Sequence, residues 1–174
     1  MPRDAGTGTA EAYVRHDRPP RRTRPHRAGT AGAANPPGFS HSADRLWRAL
    51  TDDDELSLWF PCRVKLDLRT GGTIHFLFPG EEPDAGQVLE VLPKQVLAFS
   101  WDQEVLRWTL EPAGPGRSTL ALANSLQDPA WAARVAAGWH QCIEHLGALL
   151  DGQPAGQEPS RPIDELVEKY SRLL

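Results

Sequence analysis

The residues able to do acid–base or covalent chemistry are few in this chain. His140 and Glu144 stand four apart, so on a helix they share one turn and can touch. That is the spacing of a base and its orienting carboxylate; it is also the spacing of an ordinary solvated helix pair. His75 alternates with Ile74 and Phe76 and should point away from them on a strand. Glu90 lies between Leu89 and Val91, where a half-buried carboxylate would have a raised pKa or would pair with an Arg on the sheet. Asn124 falls in phase with Leu120 and Leu122. Cys62 and Cys142 are too few for a disulfide framework or a zinc site and read as two reduced core thiols. Thr70-Gly71-Gly72 is too short to cradle a phosphate and reads as a hairpin turn; the sequence has no Gly-x-Ser-x-Gly and no His/Cys metal spacing. No residue is therefore assigned a catalytic or metal-ligating role, and no cofactor is expected.

The elements that would position these residues are more legible. In 130–150, Trp131, Val135, Trp139, Cys142, Leu146 and Leu149 recur at steps of four and three, widened by Ala132, Ala136, Ile143 and Leu150. Arg134, Gln141, Glu144 and His145 fall opposite. This predicts a long amphipathic helix, capped by Asp128, with Pro129 in its first turn and Gly152 at its end. The preceding eighty residues offer six strands, at 62–68, 73–78, 87–92, 96–101, 105–111 and 118–124. Short turns join them, which predicts a meander of antiparallel hairpins. Ile74, Phe76 and Phe78, then Leu97, Phe99 and Trp101, then Leu106, Trp108 and Leu110 give that sheet one dry face. Strand 87–92 is apolar on both faces, so its inner side stays open. Two short helices precede the sheet: one capped by Ser42 or Asp44 with Leu46, Trp47 and Leu50 inward, the other DDDELSLWF with acids in its first turn. The fold class is α+β: an antiparallel meander curled around a long C-terminal helix.

The 174 residues carry a net charge of −4, distributed unevenly. Residues 1–42 hold seven Arg against three acids, a net of +4, leaving −8 on the rest. An acidic body excludes nucleic acid as its partner, since phosphate contacts need clustered Lys and Arg. No apolar run reaches membrane-spanning length and no apolar stretch follows the N-terminal basic residues, so no membrane partner and a cytoplasmic location are expected. Residues 1–41 contain no Leu or Ile and are expected to be a disordered Arg/Pro/Gly/Ala-rich arm. Residues 42–151 form the domain, 152–160 a linker, and 161–174 an amphipathic helix that packs on the domain or offers a dimer contact.

Several stretches together resemble the helix-grip START/Bet v 1-like (SRPBCC) superfamily, in particular its branch resembling the C-terminal domain of the activator of Hsp90 ATPase. They are DRLWRALT from Asp44, Glu55-Leu56 with Trp59-Phe60, DLRTGG from Asp67, GQVLEVLP from Gly86, LAFSW from Leu97, and Gly138-Trp139. The resemblance covers about residues 42–151. Two departures stand out. The family begins with a strand leading into the first helix, and here GTAGAANPPGFS has two Pro, three Gly and no alternation, so the first strand is expected to be degenerate or missing. The composition before Ser40 is what a GC-rich coding region gives in a shifted frame, so residues 1–41 are expected to be mistranslated. The 118–124 edge, from Ser118 to Asn124, would then lie unpaired with no Lys or Pro to guard it, a route to dimers. Residues 1–42 are also too short for the separate N-terminal domain of the full activator, so Hsp90 is not an expected partner.

The resemblance implies a space between sheet and helix that takes small hydrophobic molecules. Its candidate lining is Phe76, Phe78, Phe99, Trp101, Trp108 and Trp139, with Trp59 near the mouth; the same residues would equally fill a core. The reading favoured is an apolar-ligand binder. The alternatives are an enzyme like the polyketide cyclases, for which Asn124, Glu90 and His140 are the polar candidates, and an Hsp90-cofactor-like interaction module working through its outer surface.

Overall fold

The computed structural model describes residues 29–30, 38–154 and 158–174. Helix α1 (Ala43–Thr51) starts where the Ser42 hydroxyl accepts from the Arg45 N–H at 3.3 Å, and α2 (Asp53–Trp59) where Asp52 accepts from Glu55 N–H at 3.0 Å. Leu46, Ala49, Leu50 and Leu56 bury the shared face. The stretches that carry the family resemblance hold the two helices together. Glu55 accepts from Arg45 at 2.5 Å and pairs with Arg48 at 2.8 Å, and the Trp59 indole N–H donates to the Ala49 carbonyl at 2.8 Å.

Among the described residues one sheet runs in the order β1-β7-β6-β5-β4-β3-β2, every neighbouring pair antiparallel. Its strands are β1 (Gly29–Thr30), β2 (Arg63–Leu66), β3 (Thr73–Leu77), β4 (Asp84–Leu92), β5 (Val96–Trp101), β6 (Glu104–Pro112) and β7 (Ser118–Leu126). The six expected strands are present within a few residues of their expected ends. At the β2 edge, α2 supplies acceptors for exposed donors: Val64 N–H bonds Ser57 Oγ at 3.0 Å and Leu66 N–H bonds Asp53 Oδ1 at 2.9 Å.

Strand β4 shows why its inner side could not be read from alternation. The register shifts between Val88 and Glu90, a bulge that reverses the parity within the strand. Val88 is buried and Val91 packs on the core three residues later, while Leu89 and Leu92 are exposed. The strand bends there against β5. A Cβ on Gly86 would lie 1.8 Å from the Ser100 carbonyl oxygen, so only glycine fits.

The first strand, expected to be degenerate or missing, is degenerate: among the described residues it is reduced to two. Gly29 and Thr30 pair with Leu126 and Ser125 of β7, in the place where that strand belongs. Phe39, expected in a disordered arm, bridges Ser118 at the other end of β7 through bonds of 2.9 and 3.2 Å, and its side chain joins the core. Backbone pairing does not require side-chain alternation, and one Phe beyond the Pro pair is enough to anchor the chain. Both ends of the β7 edge are thus engaged. The expectations of disorder and mistranslation for residues 1–28 and 31–37 lie outside the described residues.

A 3-10 turn (Pro129–Trp131), with the Asp128 side chain accepting from Ala130 N–H at 2.9 Å, leads into α3 (Ala132–Leu150). Gly152, in the left-handed region at φ 72°, follows its end. Helix α4 (Ile163–Ser171) packs along α3 of the same chain: Leu166 and Tyr170 are buried with Ala137, and Ala133, Ala136, Ile163 and Val167 pack around them. Cys62 and Cys142 are buried and not disulfide-bonded. Among the described residues, no helix is long and apolar enough to cross a membrane.

Candidate functional site

The inward face of the sheet and one face of α3 enclose a single aromatic assembly. Phe76 stacks on Trp101 with centroids 4.5 Å apart, Trp108 meets Trp59 edge-on at 5.4 Å and Trp139 at 5.6 Å, and Trp101 meets Trp139 at 6.5 Å. Phe99 lies 6.0 Å from Phe76, and Phe78 lies 6.2 Å from Trp101. All seven aromatic residues proposed from the sequence are therefore gathered in one place.

Two features differ from the expectation. Trp59 is 1 % exposed, with its indole N–H bonded to a carbonyl, so it lies at the floor of the assembly rather than its mouth. Phe60, not expected to line the site, is its hub, with centroids 5.4 to 6.2 Å from those of Trp59, Phe76, Phe99, Trp101 and Trp139. The signal was Pro61. A residue before proline is driven extended, and Phe60 leaves α2 at ψ 155°, so the helical period no longer sets where its ring points. The groups that remain only partly buried against the assembly include Phe78, Val91, Leu122 and Val135.

The three polar candidates are not brought together. Glu90 lies on the other face of the sheet, in register with Ala98 and Arg107, where Arg107 binds it through two guanidinium nitrogens. That hydrogen bond holds the Glu90 carboxyl below its ordinary range, opposite to the rise that burial alone would give. His140 lies on the α4 side of α3. Its Nδ1 is 2.9 Å from the Tyr170 hydroxyl and its Nε2 is 3.4 Å from Glu144. Burial pushes the imidazole below its ordinary pKa and the Tyr170 phenol above its own. A neutral ring protonated at Nε2 satisfies both contacts, accepting from Tyr170 and facing Glu144 with its N–H. Glu144 in turn accepts from the Ser160 N–H at 3.2 Å and hydroxyl at 2.5 Å. These groups fasten α4 and its preceding segment to α3.

Asn124 alone of the three faces the aromatic assembly. It is directly opposite Leu106 in the β6–β7 ladder, one step from the Trp108–Leu122 pair, and is 6 % exposed. Its Nδ2 donates to Glu104 Oε2 at 3.3 Å, and Glu104 is in turn opposite Trp101.

The chain matches the family model described as activator of Hsp90 ATPase homolog 1-like protein over residues 40–151, well over half its length. No curated protein matches it. Among solved structures it is similar to a conserved protein of unknown function, EF2215, from Enterococcus faecalis (21 % identity, TM-score 0.66, covering 79 % of this chain and 80 % of that one). It is also similar to CalU16 from Micromonospora echinospora (20 % identity, TM-score 0.62, covering 87 % and 95 %) and to the Aha1 dimer from Colwellia psychrerythraea (20 % identity, TM-score 0.55, covering 66 % and 91 %). At these identities the likeness is one of fold. With its meander closed on α3, its aromatic inward face and the match over residues 40–151, the chain belongs to the family of activator of Hsp90 ATPase homolog 1-like proteins, within the helix-grip SRPBCC superfamily.

Proposed function

We propose that the chain binds a small apolar molecule between the sheet and α3, against Phe76, Phe78, Phe99, Trp101, Trp108 and Trp139. The observation that carries this reading is the incomplete burial of the assembly's margin. Trp59, Phe60, Phe76, Phe99, Trp101 and Trp108 are each 3 % exposed or less and Trp139 is 5 % exposed, whereas Phe78, Leu122 and Val135, packed against these rings, are only partly buried and form the margin through which a ligand would reach them. A ligand entering there would cover that margin and stack on rings already held in place, which keeps the ordering cost of binding low.

The reading stops at binding. Cyclase-like catalysis would need ionisable groups converging on the ligand, and Glu90 and His140 are committed to partners on other faces. A cofactor role toward Hsp90, which the family's description favours, would use the outer surface instead; a pull-down with purified Hsp90 tests it, and capture would support it.

Native mass spectrometry of the purified protein tests the binding reading, together with titration of an apolar dye that quenches tryptophan fluorescence. A retained small molecule, or saturable quenching abolished by Val135→Trp at the margin, is expected. Neither retention nor saturable quenching would overturn it.

A further inference from the structure

Asn124 places a polar atom on the aromatic wall whose hydrogen bonding is incomplete. Three buried side-chain polar atoms accept or donate no hydrogen bond among the described residues: His41 Nδ1, His145 Nε2 and Asn124 Oδ1. His145 lies in the last two turns of α3 and His41 is tied to Asp151 just beyond them, so both belong to the far end of that helix. Asn124 Oδ1 is the one on the wall. The orientation of its amide is fixed by chemistry. Glu104 offers only acceptors when ionised, so the NH2 group must face it, and the carbonyl oxygen is turned the other way. A buried carbonyl oxygen left without a donor is costly, and native structures keep such groups where something else satisfies them.

We infer that Asn124 Oδ1 is the polar recognition point of the site, and that the ligand is an aromatic or polycyclic molecule presenting a hydroxyl or N–H donor to it. This rests on the binding reading above and refines it. The wall at that point offers the amide oxygen of Asn124 as an acceptor, on the same face of the sheet as Trp101 and Trp108. A phenol-like donor matches that arrangement. A carboxylate ligand, an acceptor and an anion, would meet a like partner and is selected against.

The test uses three probes with one ring system: 2-naphthol, 2-methoxynaphthalene and 2-naphthoate, titrated into the full chain while following the indole N–H signals by NMR. Wild-type protein should bind the naphthol several-fold to about tenfold more tightly than the methyl ether, the ratio expected of one hydrogen bond, and the naphthoate weakest. Asn124→Leu, close in shape and without the acceptor, should bring naphthol and methyl ether to within about twofold of each other by removing that bond. If all three probes bind wild-type protein equally, the role of Asn124 is wrong and the binding site stands. If none shifts an indole signal at saturation, the site itself is wrong. Should Asn124→Leu fail to fold, the wild-type ratio of naphthol to methyl ether alone decides.

Discussion

Helix α3 has two buried faces, and they are built on different terms. Toward the sheet it presents Val135, Trp139, Cys142 and Leu146, large groups that meet rings from α2, β3, β5 and β6. Toward α4 it presents Ala133, Ala136 and Ala137, small enough for a helix to lie close, with His140, Gln141 and Glu144 alongside. On the α4 face each of those polar side chains has a partner: His140 with Tyr170, Gln141 Nε2 with the Arg161 carbonyl at 3.1 Å, and Glu144 with Ser160. On the sheet face the opposing wall carries an amide oxygen with none among the described residues. The α4 face is satisfied within the chain, as a docking surface should be. The sheet face has polar capacity left over, as a ligand site should.

The largest expected effects are on the sheet face. Trp101→Ala and Trp108→Ala should each cost about 3–5 kcal/mol in urea denaturation if the rings are packed on all sides. A cost well below that would mean space already exists beside them. Full cost in both, with no dye binding by the parent, would reduce the face to a core and remove the contrast.

Leu166→Ala should cost about 2 kcal/mol, near the low end for buried leucines because α4 lies at the margin of the molecule. Its damage should stay local. Amide exchange should accelerate across Ile163–Ser171 while β5 and β6 remain protected. Equal acceleration in both would show that the two faces form one cooperative core.

Tyr170→Phe, which removes one partly buried hydrogen bond, should cost about 1 kcal/mol. The same contact makes α4 docking depend on pH. Burial lowers the His140 pKa, so the undocked imidazole, with an ordinary value near 6.5, takes up protons more readily than the docked one. The contribution is complete above about pH 6.5 and is lost as pH falls toward the lower, docked value. Glu144 opposes the shift, while Lys169 and Arg161 add to it. After correction for intrinsic rates, exchange in α4 should be faster at pH 5.5 than at 7.5, and His140→Gln should abolish the difference. A pH-independent α4 would refute this account. The smallest effect belongs to Glu90→Gln on the outer sheet face, where the pair with Arg107 is solvent-screened. The denaturation midpoint should not move measurably.

Much of this molecule is written locally. The period of residues 130–150, the alternation of β3, β5 and β6, and the cap at Ser42 depend on near neighbours along the chain, so the meander, the long helix and the seven aromatic residues were legible without coordinates, although Asp128 caps the 3-10 turn that leads into the long helix and not that helix itself. Contacts between distant segments decided the rest. Gln141, polar and expected to face outward, is 4 % exposed because a segment twenty residues later covers it. The bulge at Leu89 reverses β4 because β5 fixes its register, and Gly29–Thr30 is a strand because β7 offers an edge there. Phe60 is central because the bend before Pro61 meets a sheet that the bend itself does not specify. Asn124 fell in phase with the inward residues of its strand by sequence alone. That its amide nitrogen would be held by Glu104, leaving the oxygen free to receive a donor, followed only from the pairing of β6 with β7, since a hydrogen bond across twenty residues depends on register and not on composition.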